Sequence, residues 1–107
     1  MINLEDFLKL DIRVGEILEA RKIQGTDRLL KLRVDLGKEE KEIVSGIAEY
    51  FNAPEELVGK QIPILANLSP RTIKGHKSDG MILAVLGDGK FSLLAAENKI
   101  PNGSPVR

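Results

Sequence analysis

Leu30, Leu32, Val34 and Leu36 alternate with Lys31, Arg33 and Asp35, the cleanest period-two pattern in the chain. A strand with one buried face has that pattern, so this stretch is read as half-buried, with Lys31 and Arg33 outward. Before it, Ile12 to Ala20 forms a strand whose alternation breaks after Gly15, as a bulge or sharp bend at that glycine would make it. Gln24-Gly-Thr-Asp27 is the turn between the two, and Gly37-Lys-Glu-Glu40 closes a hairpin into a third strand, Glu42-Ile-Val-Ser45. The three make a meander. Ile62, Ile64 and Ala66 give a fourth strand, and Met81 to Leu86 an apolar fifth, read as buried because it has lost its alternation. A hairpin through Gly87-Asp-Gly89 leads to Phe91-Ser-Leu-Leu94, and Ile100 to Val106 is an extended tail whose prolines suit a sheet edge.

Helix signals are short. Asn3 caps a helix running from Leu4 towards Leu10, with Glu5 and Asp6 in the first turn, where acids complement the helix dipole. Asn52 as cap, Pro54 in the first turn and Gly59 as stop define a second helix of about one turn. The expected fold is therefore all-β, with five core strands, a short N-terminal helix, a small helix between the third and fourth strands and a C-terminal extension. That order matches the OB-fold, a five-stranded Greek-key barrel whose ligand loops join strands 1–2 and 4–5. Residues 1–107 are read as one domain, since a chain of this length supports a single core.

Composition narrows the function. With 42% hydrophobic and 30% charged residues the chain has the balance of a folded soluble protein. No apolar run approaches the roughly 20 residues of a membrane span, and the N-terminus lacks the basic and apolar segments of a secretory signal, so a cytoplasmic protein is expected. The absence of cysteine and the single histidine, His76, exclude disulfides, thiolate chemistry and histidine metal clusters. Neither catalytic residues nor a cofactor or metal site are expected, because no nucleophile-and-base set and no glycine-rich phosphate loop can be assembled.

The formal net charge is zero, but it alternates in blocks: −3 over residues 1–19, +3 over 20–37, −4 over 38–56 and +4 beyond. The last block is densest in Asn67-Leu-Ser-Pro-Arg-Thr-Ile-Lys-Gly-His-Lys-Ser-Asp-Gly-Met81, the loop between the fourth and fifth strands, where Arg71, Lys74 and Lys77 face one acid, Asp79. Three cations on a loop where OB-folds bind point to an anionic partner. Phe7, Tyr50, Phe51 and Phe91 are scattered along the chain, which argues against a platform that stacks single-stranded bases and leaves phosphate and ribose contact as the route to RNA. Lys31 and Arg33 would join the loop cations on one side of the barrel, although strand lysines and arginines serve solvation equally well. Ser78 and Asn67 are open to two readings each, as hydrogen-bond donors to RNA or as residues that shape the loop.

Seven motifs in order carry a resemblance: Asp11-Ile-Arg-Val-Gly15, Asp27-Arg-Leu-Leu30, Val34-Asp-Leu-Gly37, Ile43-Val-Ser-Gly-Ile-Ala48, Pro54-Glu-Glu-Leu-Val-Gly-Lys60, Asn67-Leu-Ser-Pro70 and Ser78-Asp-Gly-Met81. Together they resemble the tRNA-binding domain found at the C-terminus of many methionyl-tRNA synthetases, in free-standing tRNA-binding proteins and in cytokine-like synthetase cofactors. The resemblance covers nearly the whole chain. It implies an OB-fold that binds tRNA by shape, a homodimer built from the N-terminal helix and the C-terminal extension, and, in some members, association with a methionyl-tRNA synthetase catalytic chain. It also implies that Ser78, Gly80 and Met81 lie at the RNA-binding surface. Many members carry a His-Pro pair before the Asp-Lys-Leu-Leu motif; here Gln24-Gly-Thr26 precedes Asp27.

The expected function is thus a non-catalytic tRNA-binding module, with Lys31, Arg33, Asn67, Arg71, Lys74, Lys77, Ser78, Gly80 and Met81 as the contacting residues. Two alternatives use the same fold: a dimeric chaperone of the CsaA type, which holds peptides in an apolar groove, and a domain that recruits protein partners.

Overall fold

The computed structural model describes all of residues 1–107. Its core is one curled antiparallel sheet. β1 (Ile12–Lys22), β2 (Leu30–Asp35) and β3 (Glu40–Ser45) form the expected meander, and β4 (Gln61–Leu65) pairs with the other side of β1, followed by β7 (Met81–Ile82). β1 belongs to both halves of the sheet: Ile12 to Glu16 pair with β4, and Glu16 to Lys22 pair with β2. The sheet closes towards a barrel where the Asp79 N–H donates to Glu42 O on β3 at 2.8 Å. Leu30, Leu32 and Val34 on β2, Ile43 on β3 and Ile62 and Ile64 on β4 fill the interior, each almost wholly removed from water.

Gly15 has a different role from the one its position suggested. The register shift in β1 falls between Ile17 and Glu19, so the bulge is at Leu18. Gly15 is buried, and a Cβ there would collide with Val34 Cγ1 while lying 3.0 Å from Leu36 Cδ2 and 3.1 Å from Ile64 Cγ1. It is the point where β1 crosses closest to its neighbours inside the barrel.

The N-terminal helix α1 (Leu4–Phe7) has a full capping box: Asn3 Oδ1 accepts from the Asp6 N–H at 2.9 Å, and Asp6 Oδ2 accepts from the Asn3 N–H. The connection after β3 holds two short 3-10 turns, Ala48–Tyr50 and Pro54–Leu57, where one helix was expected. Asn52 caps neither: Ala53 precedes the second turn and no side chain bonds its free N–H groups.

Two expected features change more substantially. The region between β4 and β7 is a hairpin, not an open loop, with β5 (Arg71–Ile73) paired to β6 (His76–Ser78). The run from Met81 to Leu86 is not one buried strand. It breaks at Leu83, and β8 (Ala84–Gly87) pairs only with β9 (Lys90–Leu93), leaving Val85 50% and Leu86 66% exposed.

The tail lies along the first half of β1, on the edge opposite β4. Gly103 N–H donates to Val14 O at 2.7 Å, Val14 N–H to Ser104 O at 2.8 Å and Val106 N–H to Ile12 O at 2.8 Å. Gln61 and Asn102 fix it from the side: the Gln61 amide donates to Ile100 O and Asn102 Oδ1, and Asn102 Nδ2 donates to Glu16 and Asp35. No helix is long and apolar enough to cross a membrane.

Candidate nucleic-acid interface

The β5–β6 hairpin turns through Lys74 (φ 51°) and Gly75 (φ 83°), the two left-handed residues of a type I′ connection. Facing pairs in it are Arg71 with Ser78, Thr72 with Lys77 and Ile73 with His76. Because side chains alternate along a strand, His76 and Lys77 project to opposite faces. Arg71, opposite Ser78, lies on the His76 face and Lys77 on the other, so the three loop cations do not converge on a floor; they flank a ridge, the hairpin itself, with Lys74 at the tip. Arg71, Lys74 and Lys77 are all exposed, and none enters an ion pair. Asp79, the acid that accompanied them in sequence, is occupied by Lys41 at 3.4 Å.

His76 faces a cleft of about 460 Å³ lined also by Arg21, Lys22, Ile23, Gln24 and Lys31. It is the seam between the β1–β2 connection and the hairpin, the two ligand loops of an OB-fold. Arg21 and Lys31 are direct cross-strand partners, so their side chains rise from the same face. Arg21 and Lys22 are exposed and free of ion pairs, and both lie beyond the Ala20 limit expected for the first strand. The one signal that held them was the +3 block over residues 20–37.

The remaining expected residues divide by what already holds them. Lys31 Nζ sits 3.0 Å from Glu42 Oε2, and Arg33 Nη1 donates to Glu40 Oε1 at 2.9 Å. That hydrogen bond, helped by Glu19 and Glu42, raises the Arg33 pKa, just as Asp11 raises that of Arg13; both guanidiniums stay charged at any working pH. Arg33 thus stands among acids and lines no part of the cleft.

Ser78 is 2% exposed, and its Oγ accepts from the Val44 N–H at 2.9 Å, which ties the hairpin base to β3. Asn67 Oδ1 accepts from the Asp11 N–H and its Nδ2 donates to Lys9 O, so it locks the α1–β1 connection to the end of β4. Gly80, at φ 129°, is buried with Leu65 O 3.0 Å from where a Cβ would stand. Ser78 and Gly80 are buried at the base of the hairpin, while Asn67 is exposed with both ends of its amide engaged by backbone groups. Met81, beside them on β7, is 39% exposed.

A single curled antiparallel sheet closing towards a barrel, with cations at the seam between its two ligand loops, defines an OB-type β-barrel protein. The chain belongs to the family described as "Putative tRNA binding domain", whose model matches residues 12–105. It is 47% identical over 105 residues to a methionine-tRNA ligase of Caldanaerobacter subterraneus subsp. tengcongensis, covering 98% of this chain and 16% of the ligase. Among solved structures, a protein described as MetRS-related from Pyrococcus horikoshii superposes with a TM-score of 0.93 at 38% identity, over 100% of this chain and 98% of that one. The chaperone CsaA of Bacillus anthracis superposes with a TM-score of 0.87 at 32% identity, over 100% and 99%. The chain spans about a sixth of the length of the ligases it matches.

Proposed function

We propose that this chain is a non-catalytic module that binds folded tRNA by shape, acting within or beside a methionyl-tRNA synthetase, or free-standing, in the cytoplasm. The observation that carries the reading is the cluster of uncommitted cations around the ligand-loop seam: Arg21 and Lys22 in the cleft, Arg71, Lys74 and Lys77 along the ridge. Lys31 and His76 complete the cleft wall, and Met81 offers an apolar contact beside it. A cleft flanked by a cationic ridge follows a bent phosphate backbone and reads no base edges, which is shape recognition. Ser78 and Gly80 serve by fixing where the hairpin stands, and Asn67 by fixing the end of β4 from which it rises. Catalysis, on this reading, belongs to another region or chain.

The proposed module is a homodimer. Support comes from apolar residues that the fold leaves uncovered, chiefly Leu4, Leu8 and Leu10 around α1 and Val85 and Leu86 on β8. The tail is no part of that argument, since it is seated on β1 of its own chain. Light scattering at micromolar concentration is expected to give twice the 11.8 kDa chain mass; a monomer refutes the dimer.

A second reading, a dimeric peptide-binding chaperone, draws on the likeness to CsaA. One titration separates the two: folded tRNA, heat-unfolded tRNA and an unfolded peptide. Tighter binding of folded tRNA is expected. Preference for the peptide selects the second reading.

A further inference from the structure

The four aromatic residues are scattered in sequence, but the fold gathers three of them. Tyr50 and Phe91 stack with centroids 4.4 Å apart and planes 6° from parallel, and Phe51 meets Phe91 edge-on at 5.9 Å. They line a groove of about 780 Å³ between the two 3-10 turns and β9, whose apolar lining includes Leu57, Ile62 and Leu93. Phe51, Phe91 and Leu93 rest against the barrel core, while Tyr50 keeps 40% of its surface exposed.

The polar groups of the groove sort into committed and free. Glu16, its one acid, accepts from Asn102 Nδ2 at 3.1 Å; Gln61 is held by Ile100 and Asn102; Ser92 donates to Leu93 O. Lys60 and Lys99 are exposed and outside every ion pair. What the groove offers a ligand is therefore a flat aromatic surface with two ammonium groups at its margin.

We infer that this groove is a second binding site, for an unpaired nucleotide whose base lies against the Tyr50–Phe91 pair and whose phosphates meet Lys60 and Lys99. A ring already held parallel to its neighbour gives up little freedom when a base adds to it. Stacking of this kind tolerates any base, and the lysines supply the anion contact that an uncharged apolar segment would leave unused. No residue lines both this groove and the cationic cleft, so the two sites are separable. The inference rests on the tRNA-binding reading only for the source of the nucleotide, an unpaired stretch of the same RNA.

Tyr50 is the only tyrosine and the chain has no tryptophan, so its emission reports from the groove alone. The probe is single-stranded hexauridylate, followed by Tyr50 emission and by anisotropy of an end-labelled copy. Hexauridylate is expected to quench Tyr50. Tyr50→Leu is expected to weaken its binding about tenfold, the size of a missing base stack. Lys60→Gln with Lys99→Gln changes only exposed side chains and is expected to lower the salt slope by about 0.7 for each phosphate no longer neutralised. Lys74→Gln with Lys77→Gln is expected to leave the Tyr50 quench by hexauridylate unchanged while weakening folded tRNA. Hexauridylate binding in the groove without any tRNA binding would uphold the site and refute the tRNA reading. The inference is overturned by unchanged affinity in the Tyr50 variant and the Lys60 and Lys99 variant, by loss of the Tyr50 quench in the Lys74 and Lys77 variant, or by an acidic peptide that quenches Tyr50 where hexauridylate does not.

Discussion

Two sets of cations, on β2 and on the β5–β6 hairpin, look alike in sequence and differ in what they can bind. Lys31 and Arg33 point out from β2, but β3 runs beside them with Glu40 and Glu42, and each cation is taken by an acid at about hydrogen-bond distance. Arg71, Lys74 and Lys77 stand on a hairpin whose own acid, Asp79, has been drawn away by Lys41. A phosphate approaching β2 must displace a carboxylate; one approaching the hairpin displaces only water and counterions. Availability of charge is thus decided by the neighbouring strand, not by the residue.

The strongest challenge to this contrast is to remove the free cations together. Arg21→Gln, Lys22→Gln, Lys74→Gln and Lys77→Gln combined are expected to weaken folded tRNA on the order of a hundredfold near 0.1 M salt, with the salt slope falling by about one for every phosphate left without its cation. Filter binding at several salt concentrations measures both; unchanged values would remove the site. Next comes the clip that positions the hairpin. Ser78→Ala leaves the buried Val44 N–H without its acceptor and is expected to lower stability by about 1–3 kcal/mol in urea unfolding. A neutral result would mean that the hairpin base is held without the serine. The contrast is sharpened by freeing a paired cation: Glu40→Gln releases Arg33 and is expected to raise tRNA affinity about twofold. The smallest effect belongs to Arg33→Gln, expected to change affinity by less than about twofold and to leave the urea midpoint nearly unmoved, as for an ion pair in open solvent. A tenfold loss of affinity there would overturn the distinction between the two strands.

The barrel was legible because its inner strands are half-buried: a strand such as β2 writes its burial into every second residue. The run from Met81 to Leu86 was misread for the complementary reason. Apolar residues show what would gain from cover, not what covers them, and the break at Leu83 turns Val85 and Leu86 outward. Gly15 gave the right alarm and the wrong cause, since a bulge and a close approach both ask for a missing side chain. At the site, sequence located the charges and missed their partners. Lys31 and Glu42 stand on different strands and meet only through the β2–β3 register. Arg21 and Lys22 went unnoticed because they extend a strand past its last apolar residue. For Ser78 both a contact with RNA and a part in shaping the loop were open, and the geometry gives its hydroxyl to Val44.

The tail on β1 sets a schedule for folding. Val14 must find Ser104, and Ile12 must find both Leu65 and Val106, before the first strand has partners on both edges. Contacts this distant along the chain are closed late, because the entropy of the intervening loop has to be overcome first. During synthesis the meander can assemble while one edge of β1 stays bare. Residues 103–106 then act as a zip that finishes the barrel, and without them β1 would be left with an open edge able to pair with another copy.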